Sequence, residues 1–162
     1  MSYSIKAVKT FRGREGIGVD ATVYRNTTKV AEILDDGWGG GIHMTWLHKT
    51  HALKDFEQWA TTQGGDEVFK GTVIKYDWES WLNEQINHVL SVREAKKLLR
   101  RPVMLNKHNQ LETWPKFRSW AKASMALRTA LRDHCVKAGG ILLNTLTQDE
   151  AVKLLLGAND EL

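Results

Sequence analysis

The sequence predicts an α+β fold: an N-terminal antiparallel four-stranded sheet packed by helices, with a mainly helical C-terminal half. Three observations carry this. Apolar residues alternate with polar ones through Trp46, the spacing lengthens to three and four residues from Leu53 onward, and Gly, Asn and Asp clusters separate the apolar runs. With 162 residues, 42% of them hydrophobic and 26% charged, the chain falls in the globular range. Length leads to one domain over 1–162, with 1–50 a β-meander and 51–162 helices plus a short hairpin at 102–114.

Ile5, Ala7 and Phe11 alternate with Ser4, Lys6 and Thr10, and Ile17, Val19, Ala21 and Val23 repeat that period, so each run presents one apolar face. Arg12–Gly16 and Asn26-Thr27-Thr28 supply turns, Lys29–Leu34 a third strand, and Ile42, Met44 and Trp46 a fourth after a glycine-rich loop. Leu53, Phe56, Trp59 and Ala60 then share a helical face that ends at Gly64-Gly65. Glu67–Tyr76 reads as a short strand or a loop. Asp77 is an N-cap for a helix with Leu82, Ile86, Val89 and Leu90 on its apolar side, stopping near Arg101 because Pro102 disfavours helical geometry in the residue before it. Val103–Leu105 and Leu111–Trp114 form the hairpin. Pro115 opens a long helix carrying Phe117, Trp120, Leu127, Leu131 and Ala138 to Gly139-Gly140. Thr147 and Glu150 make a capping box for a last helix through Leu156, before Gly157.

The net charge of +4 is unevenly distributed. Residues 1–90 hold 10 Lys+Arg against 12 Asp+Glu and residues 139–162 hold 1 against 4, whereas residues 91–138 hold 12 against 3, or +9. Arg93, Lys96, Lys97, Arg100 and Arg101 recur at i, i+3, i+4, i+7 and i+8, one face of a helix, and Lys107, Lys116, Arg118 and Lys122 extend the ridge. Like charges at this spacing do not help a helix form, although cations near its C-terminus oppose the helix dipole. The plain reading is a solvated basic face. The functional reading is a surface for a polyanion, either an acidic protein or the phosphates of DNA or RNA.

The remaining candidates are weaker. Trp114 and Trp120 interleave with the basic segment and could stack on bases, yet their spacing equally suits a core. Trp38 stands among glycines and is a candidate partner anchor. His43, His48 and His51 lack a cysteine or carboxylate to complete a metal site, and Asp35-Asp36 reads as turn capping. No metal or cofactor is expected. Cys135, the only cysteine, excludes an internal disulfide and reads as a small core residue; its neighbour His134 points about 100° away on a helix. No nucleophile elbow, phosphate-binding loop or carboxylate pair indicates catalysis, so the expectation is a non-enzyme. The opening residues carry no leader-like apolar run and no segment is long enough for a membrane span, so a cytoplasmic protein is expected.

The stretch from Phe11-Arg12-Gly13-Arg14-Glu15-Gly16-Ile17-Gly18-Val19-Asp20 through Asp35-Asp36-Gly37-Trp38-Gly39-Gly40 resembles the opening of a group of small accessory proteins of tailed bacteriophages and prophages. The basic helix end at Lys96-Lys97 and Arg100-Arg101, the short strand pair and Ile141-Leu142-Leu143-Asn144 are similar to that group more loosely. Asn26-Thr27-Thr28 departs from it, standing where an Asp-Gly-type turn is usual. The resemblance implies a viral protein acting in the bacterial host cytoplasm, binding a host protein or protein–nucleic acid complex, often in an anti-defence role. Direct DNA or RNA binding through the same basic face is the alternative.

Overall fold

The computed structural model describes residues 2–47, 53–114, 116, 117 and 119–159. It has the α+β architecture, with packing gathered into two compact units, Met1–Leu90 and Ser91–Leu162, where length alone leads to one domain.

In the first unit, β1 (Tyr3–Arg12), β2 (Ile17–Arg25), β3 (Thr28–Asp35) and β4 (His43–Trp46) form an antiparallel meander in sequence order. Val19, Ala21 and Val23 of β2 and Val30, Ala31 and Ile33 of β3 are buried. The β1 alternation differs from the sequence reading. A register shift between Lys6 and Lys9 includes Ala7 at φ +54°, which turns Val8 into the core and leaves Ala7 and Phe11 exposed. Despite the unusual Asn26-Thr27 turn, the hairpin is tight: Arg25 pairs with Thr28, and Asn26 takes φ +56°.

Helix α1 (Leu53–Ala60) buries Phe56 and Ala60 on the sheet. Tyr3, Trp59 and Trp81 meet around Phe56, with ring centroids 5.0 Å apart for Tyr3–Phe56 and 5.5 Å for Phe56–Trp81 in edge-to-face geometry. Residues 67–76 hold a complete hairpin, β5 (Glu67–Phe69) and β6 (Thr72–Ile74), joined by Lys70 and Gly71, both at positive φ. Asp77 caps α2 (Trp78–Leu98), accepting from the Ser80 amide at 2.8 Å. This helix gives Trp81, Leu82 and Ile86 to the first core and Ala95 to the second unit.

The second unit is built on β7 (Val103–Leu105), flanked by β8 (Leu111–Thr113) and β9 (Ile141–Leu142) in the antiparallel order β8-β7-β9. All three β7 residues are buried because the sheet is covered on both faces. Val103 and Leu105 join Leu143, Val152 and Leu155, whereas Met104 joins Leu131, Cys135 and Leu142. Strand β9 and the 3₁₀ turn Leu143–Thr145 are additions to the sequence reading.

The helix expected from Pro115 instead begins at Met125: α3 spans Met125–Lys137, capped by the Ser124 hydroxyl on the Leu127 amide at 3.3 Å. The segment before it is held in a non-helical form by a side chain of α3. The Arg128 guanidinium donates to the carbonyls of Trp120, Ala121 and Ala123 at 3.1–3.2 Å, acceptors that a continuous helix would use for its own amides. Gly139 at φ +68° stops α3. Helix α4 (Gln148–Asn159) has the expected capping box, and it runs past Gly157 rather than ending before it.

Candidate binding surface

Arg93, Lys96 and Lys97 lie on the exposed side of α2, opposite the buried Ala95 and the half-buried Val92, Leu98 and Leu99. Regular helix stops at Leu98, so Arg100 and Arg101 belong to a tightened last turn, their amides donating to the carbonyls of Lys97 at 3.2 Å and Leu98 at 3.0 Å. The expected five-residue helical face is therefore three helical residues and two in the following turn, all exposed.

Two tertiary ties hold that turn. The Trp120 amide donates to the Arg100 carbonyl at 2.7 Å, which brings the segment carrying Lys122 beside Arg100. Asn144 donates to the carbonyls of Leu99 at 2.7 Å and Arg101 at 2.8 Å while its oxygen accepts from the Val103 amide at 2.7 Å. One side chain thus satisfies three backbone groups where the helix leaves carbonyls without partners. Because Val103 pairs with Thr113, the chain leaving β8 toward Lys116 sits at the same end of the sheet as Arg101.

Lys107 is elsewhere. It follows β7 at the opposite end of the strand, next to Gly139. Arg118 falls outside the described residues. Arg93, Lys96, Lys97, Arg100 and Arg101 are therefore carried together by α2 and its last turn, while Lys122 lies two residues beyond the Trp120 that bonds to Arg100 and Lys116 three residues beyond the Thr113 end of β8. Lys97 pairs with Glu94 at 3.3 Å, both side chains well exposed, a contact of little energetic weight.

Trp114 and Trp120 are half-buried against the Met104–Leu131 cluster, and the Arg128 guanidinium lies over the Trp120 ring at 5.1 Å. Their core role leaves little face for base stacking. Trp38 belongs to the first unit; it is 55% exposed, with the Arg14 guanidinium 5.4 Å from its ring centre. Its loop is held by Asp35, which accepts from the Gly37 amide at 2.9 Å, and Asp36, which accepts from the Trp38 amide at 3.0 Å, so both carboxylates cap the turn.

Comparison with family models, curated proteins and solved structures finds no match to this chain. Chemistry must therefore be read from the residues. His43 is exposed on β4, while His48 and His51 lie outside the described residues. Among the described residues no three metal-ligating side chains converge. The Cys135 thiol is buried, and burial, with a smaller contribution from Glu112, pushes its pKa up, away from the reactive thiolate.

Two features escaped the sequence reading. Asn144 carried no local signal, since its partners are more than forty residues away. The β5–β6 hairpin exposes Val68, Phe69, Val73 and Ile74, all at least half accessible. Its signal was present: two apolar β-formers, Lys70-Gly71, then Thr72-Val73-Ile74 is a two-residue hairpin pattern.

Proposed function

We propose that this chain is a non-catalytic accessory protein of the bacteriophage type that binds a host protein in the bacterial cytoplasm. A defence complex that handles nucleic acid is the class of target. The observation that carries this reading is the run of exposed cations at the C-terminal end of α2, Arg93, Lys96, Lys97, Arg100 and Arg101, with the chain segments that bear Lys116 and Lys122 leading from the same end of the sheet and from the Trp120–Arg100 hydrogen bond. Dipole compensation accounts for cations in the last turn of a helix, such as Lys96 and Lys97; it does not account for those contributed from other segments. Such a field is complementary to an acidic protein face.

Direct binding of DNA or RNA is the second reading, favoured by the same cations and narrowed by the core placement of Trp114 and Trp120 to backbone contacts. One experiment separates the two. The tagged chain and its Arg93→Glu/Lys97→Glu/Arg101→Glu variant are used as baits in nuclease-treated host lysate and titrated against duplex and single-stranded probes. The first reading expects a stoichiometric protein captured by the parent chain and lost by the variant. Absence of such a protein, with probe affinity falling by a log–log salt slope of about −5 for six phosphate contacts, selects the second.

A further inference from the structure

We infer that this chain pairs with a second copy of itself through the β5–β6 hairpin, β5 lying antiparallel to β5 of the other copy about a two-fold axis at Val68. The hairpin is firmly rooted. The Tyr76 amide donates to the Asp66 carboxylate at 3.0 Å, and the Tyr76 hydroxyl donates to Glu84 of α2 at 2.6 Å. The Tyr76 ring also lies so close to Gly64 that a Cβ there would stand 2.4 Å from it. Beyond this root every residue from Glu67 to Lys75 is exposed.

The strand edges are open as well. Lys70 and Gly71, both at positive φ, make a two-residue turn that closes on the hydrogen-bonded pair Phe69–Thr72. Bonded and non-bonded pairs alternate along an antiparallel ladder, so the next pair, Val68–Val73, aims its N–H and C=O groups outward. Among the described residues no third strand lies on either edge. Apolar side chains occupy both faces, Val68 and Val73 on one and Phe69 and Ile74 on the other, all at least half exposed. A two-stranded hairpin with neither face packed is marginal by itself in water, and an open apolar edge is a template for another strand.

The order of charge names the strand that fits. Residues 66–75 hold two acids, Asp66 and Glu67, against Lys70 and Lys75, so their summed charge favours neither a polyanion nor a polycation. Along β5, however, acid and base are separated: Asp66 stands two residues before Val68 and Lys70 two after. Antiparallel pairing of β5 with itself about Val68 therefore sets Asp66 opposite Lys70 of the second copy, and the reverse, while the two Val68 residues exchange their outward hydrogen bonds. Val73, Val68 and their counterparts then form one row across a four-stranded sheet. Pairing β6 with itself about Val73 sets Lys75 opposite Gly71 and makes no ion pair. Pairing β5 with β6 of the next copy makes one, Asp66 with Lys75, and leaves an edge for further copies, whereas the β5–β5 contact makes two and is closed by its symmetry. The apolar patch is on the order of a few hundred Å², below the roughly 800 Å² per partner of a standard interface, so the dimer is reversible and concentration-dependent.

The test is sedimentation equilibrium of the full chain from micromolar to near-millimolar concentration, where a reversible monomer–dimer equilibrium is expected. Val68→Pro removes an outward N–H without removing a bond of the hairpin itself, so it should abolish the dimer. Val73→Pro, the same change on the outer edge of β6, should leave a dimer. Lys70→Glu sets like charges across the axis twice and should weaken association about tenfold at low salt, and less at high salt. Thermal midpoints of the variants in dilute solution, equal to the parent's, separate lost pairing from a damaged fold. A monomer at every concentration, an undiminished dimer of Val68→Pro or of Lys70→Glu, or equal loss on Val73→Pro overturns the inference. Growth beyond the dimer overturns it in favour of β5–β6 pairing between copies. A monomer that binds phosphatidylglycerol vesicles overturns it in favour of a lipid surface.

Discussion

The side-chain amide of Asn144 donates to the Leu99 carbonyl at 2.7 Å, closing the end of α2 from a segment far along the chain. With its further bonds to Arg101 and Val103, Asn144 decides where the helix stops and where β7 starts. Asn144→Ala leaves these groups, close to the Leu143 core, without their partners, and a loss of roughly 2–4 kcal/mol in urea unfolding is expected. Asn144→Asp keeps an acceptor for Val103 but loses both donors, so it should not restore stability.

Arg128 is basic in composition and structural in role. Its guanidinium joins three carbonyls while lying over Trp120, so Arg128→Ala should lower stability by about 2 kcal/mol. Arg128→Lys keeps the charge without the planar fork, and denaturant titration should find it nearer to Ala than to the parent.

Gly37 bridges two loops of the first unit: its carbonyl accepts from the Glu15 amide at 3.0 Å, and its φ is +68°. A Cβ there would stand 2.8 Å from the Gly18 nitrogen. Gly37→Ala should therefore cost about 1–3 kcal/mol in unfolding free energy, more than the same change at Gly40, where a Cβ meets nothing within 4 Å.

Tyr76 donates to the Glu84 carboxylate at 2.6 Å. Burial first, and then this hydrogen bond and the charge of Glu84, push the phenol up to about 12 from its ordinary value of 10.0. The neutral phenol is the form favoured by folding, so its contribution is complete below pH 10 and is lost as pH rises from there toward about 12. Phenolate absorbance should show the tyrosine removed by Tyr76→Phe titrating late, and the stability difference between parent and variant should shrink over that window.

The meander was legible because Val19, Ala21 and Val23 of β2 and Ala31 and Ile33 of β3 are buried at every second position, the period a one-sided strand requires, although the register shift opposite Val23 and Tyr24 also buries Val30. Asp77 and the Thr147–Glu150 box were legible because a cap acts over three residues. Interactions across the chain were not. Ala7 alternates like a strand residue, yet its bulge exchanges it for Val8; Phe117 and Trp120 have helical spacing, but the segment turns at Trp120 and its carbonyls are shared with the distant Arg128 guanidinium. The cationic residues were legible as a group, since charge is read directly from composition. Their division was not, because the ridge assumed a helix through Arg101 and a hairpin folded beside it, whereas β7 carries Lys107 away.

The pairing of β7 with β9 sets an order on the folding of the second unit. Val103, Met104 and Leu105 are synthesised well before Ile141 and Leu142, so one edge of the central strand waits for the chain that will cover it. Until then the nascent segment presents an apolar strand with open backbone groups, the situation in which off-pathway association begins. The short, strongly turned β8 hairpin can form at once on the other edge, and the Asn106 carboxamide, accepting from the amides of His108 and Gln110, shapes its loop. A folding rate limited by the later, non-local closure is the kinetic signature this topology implies.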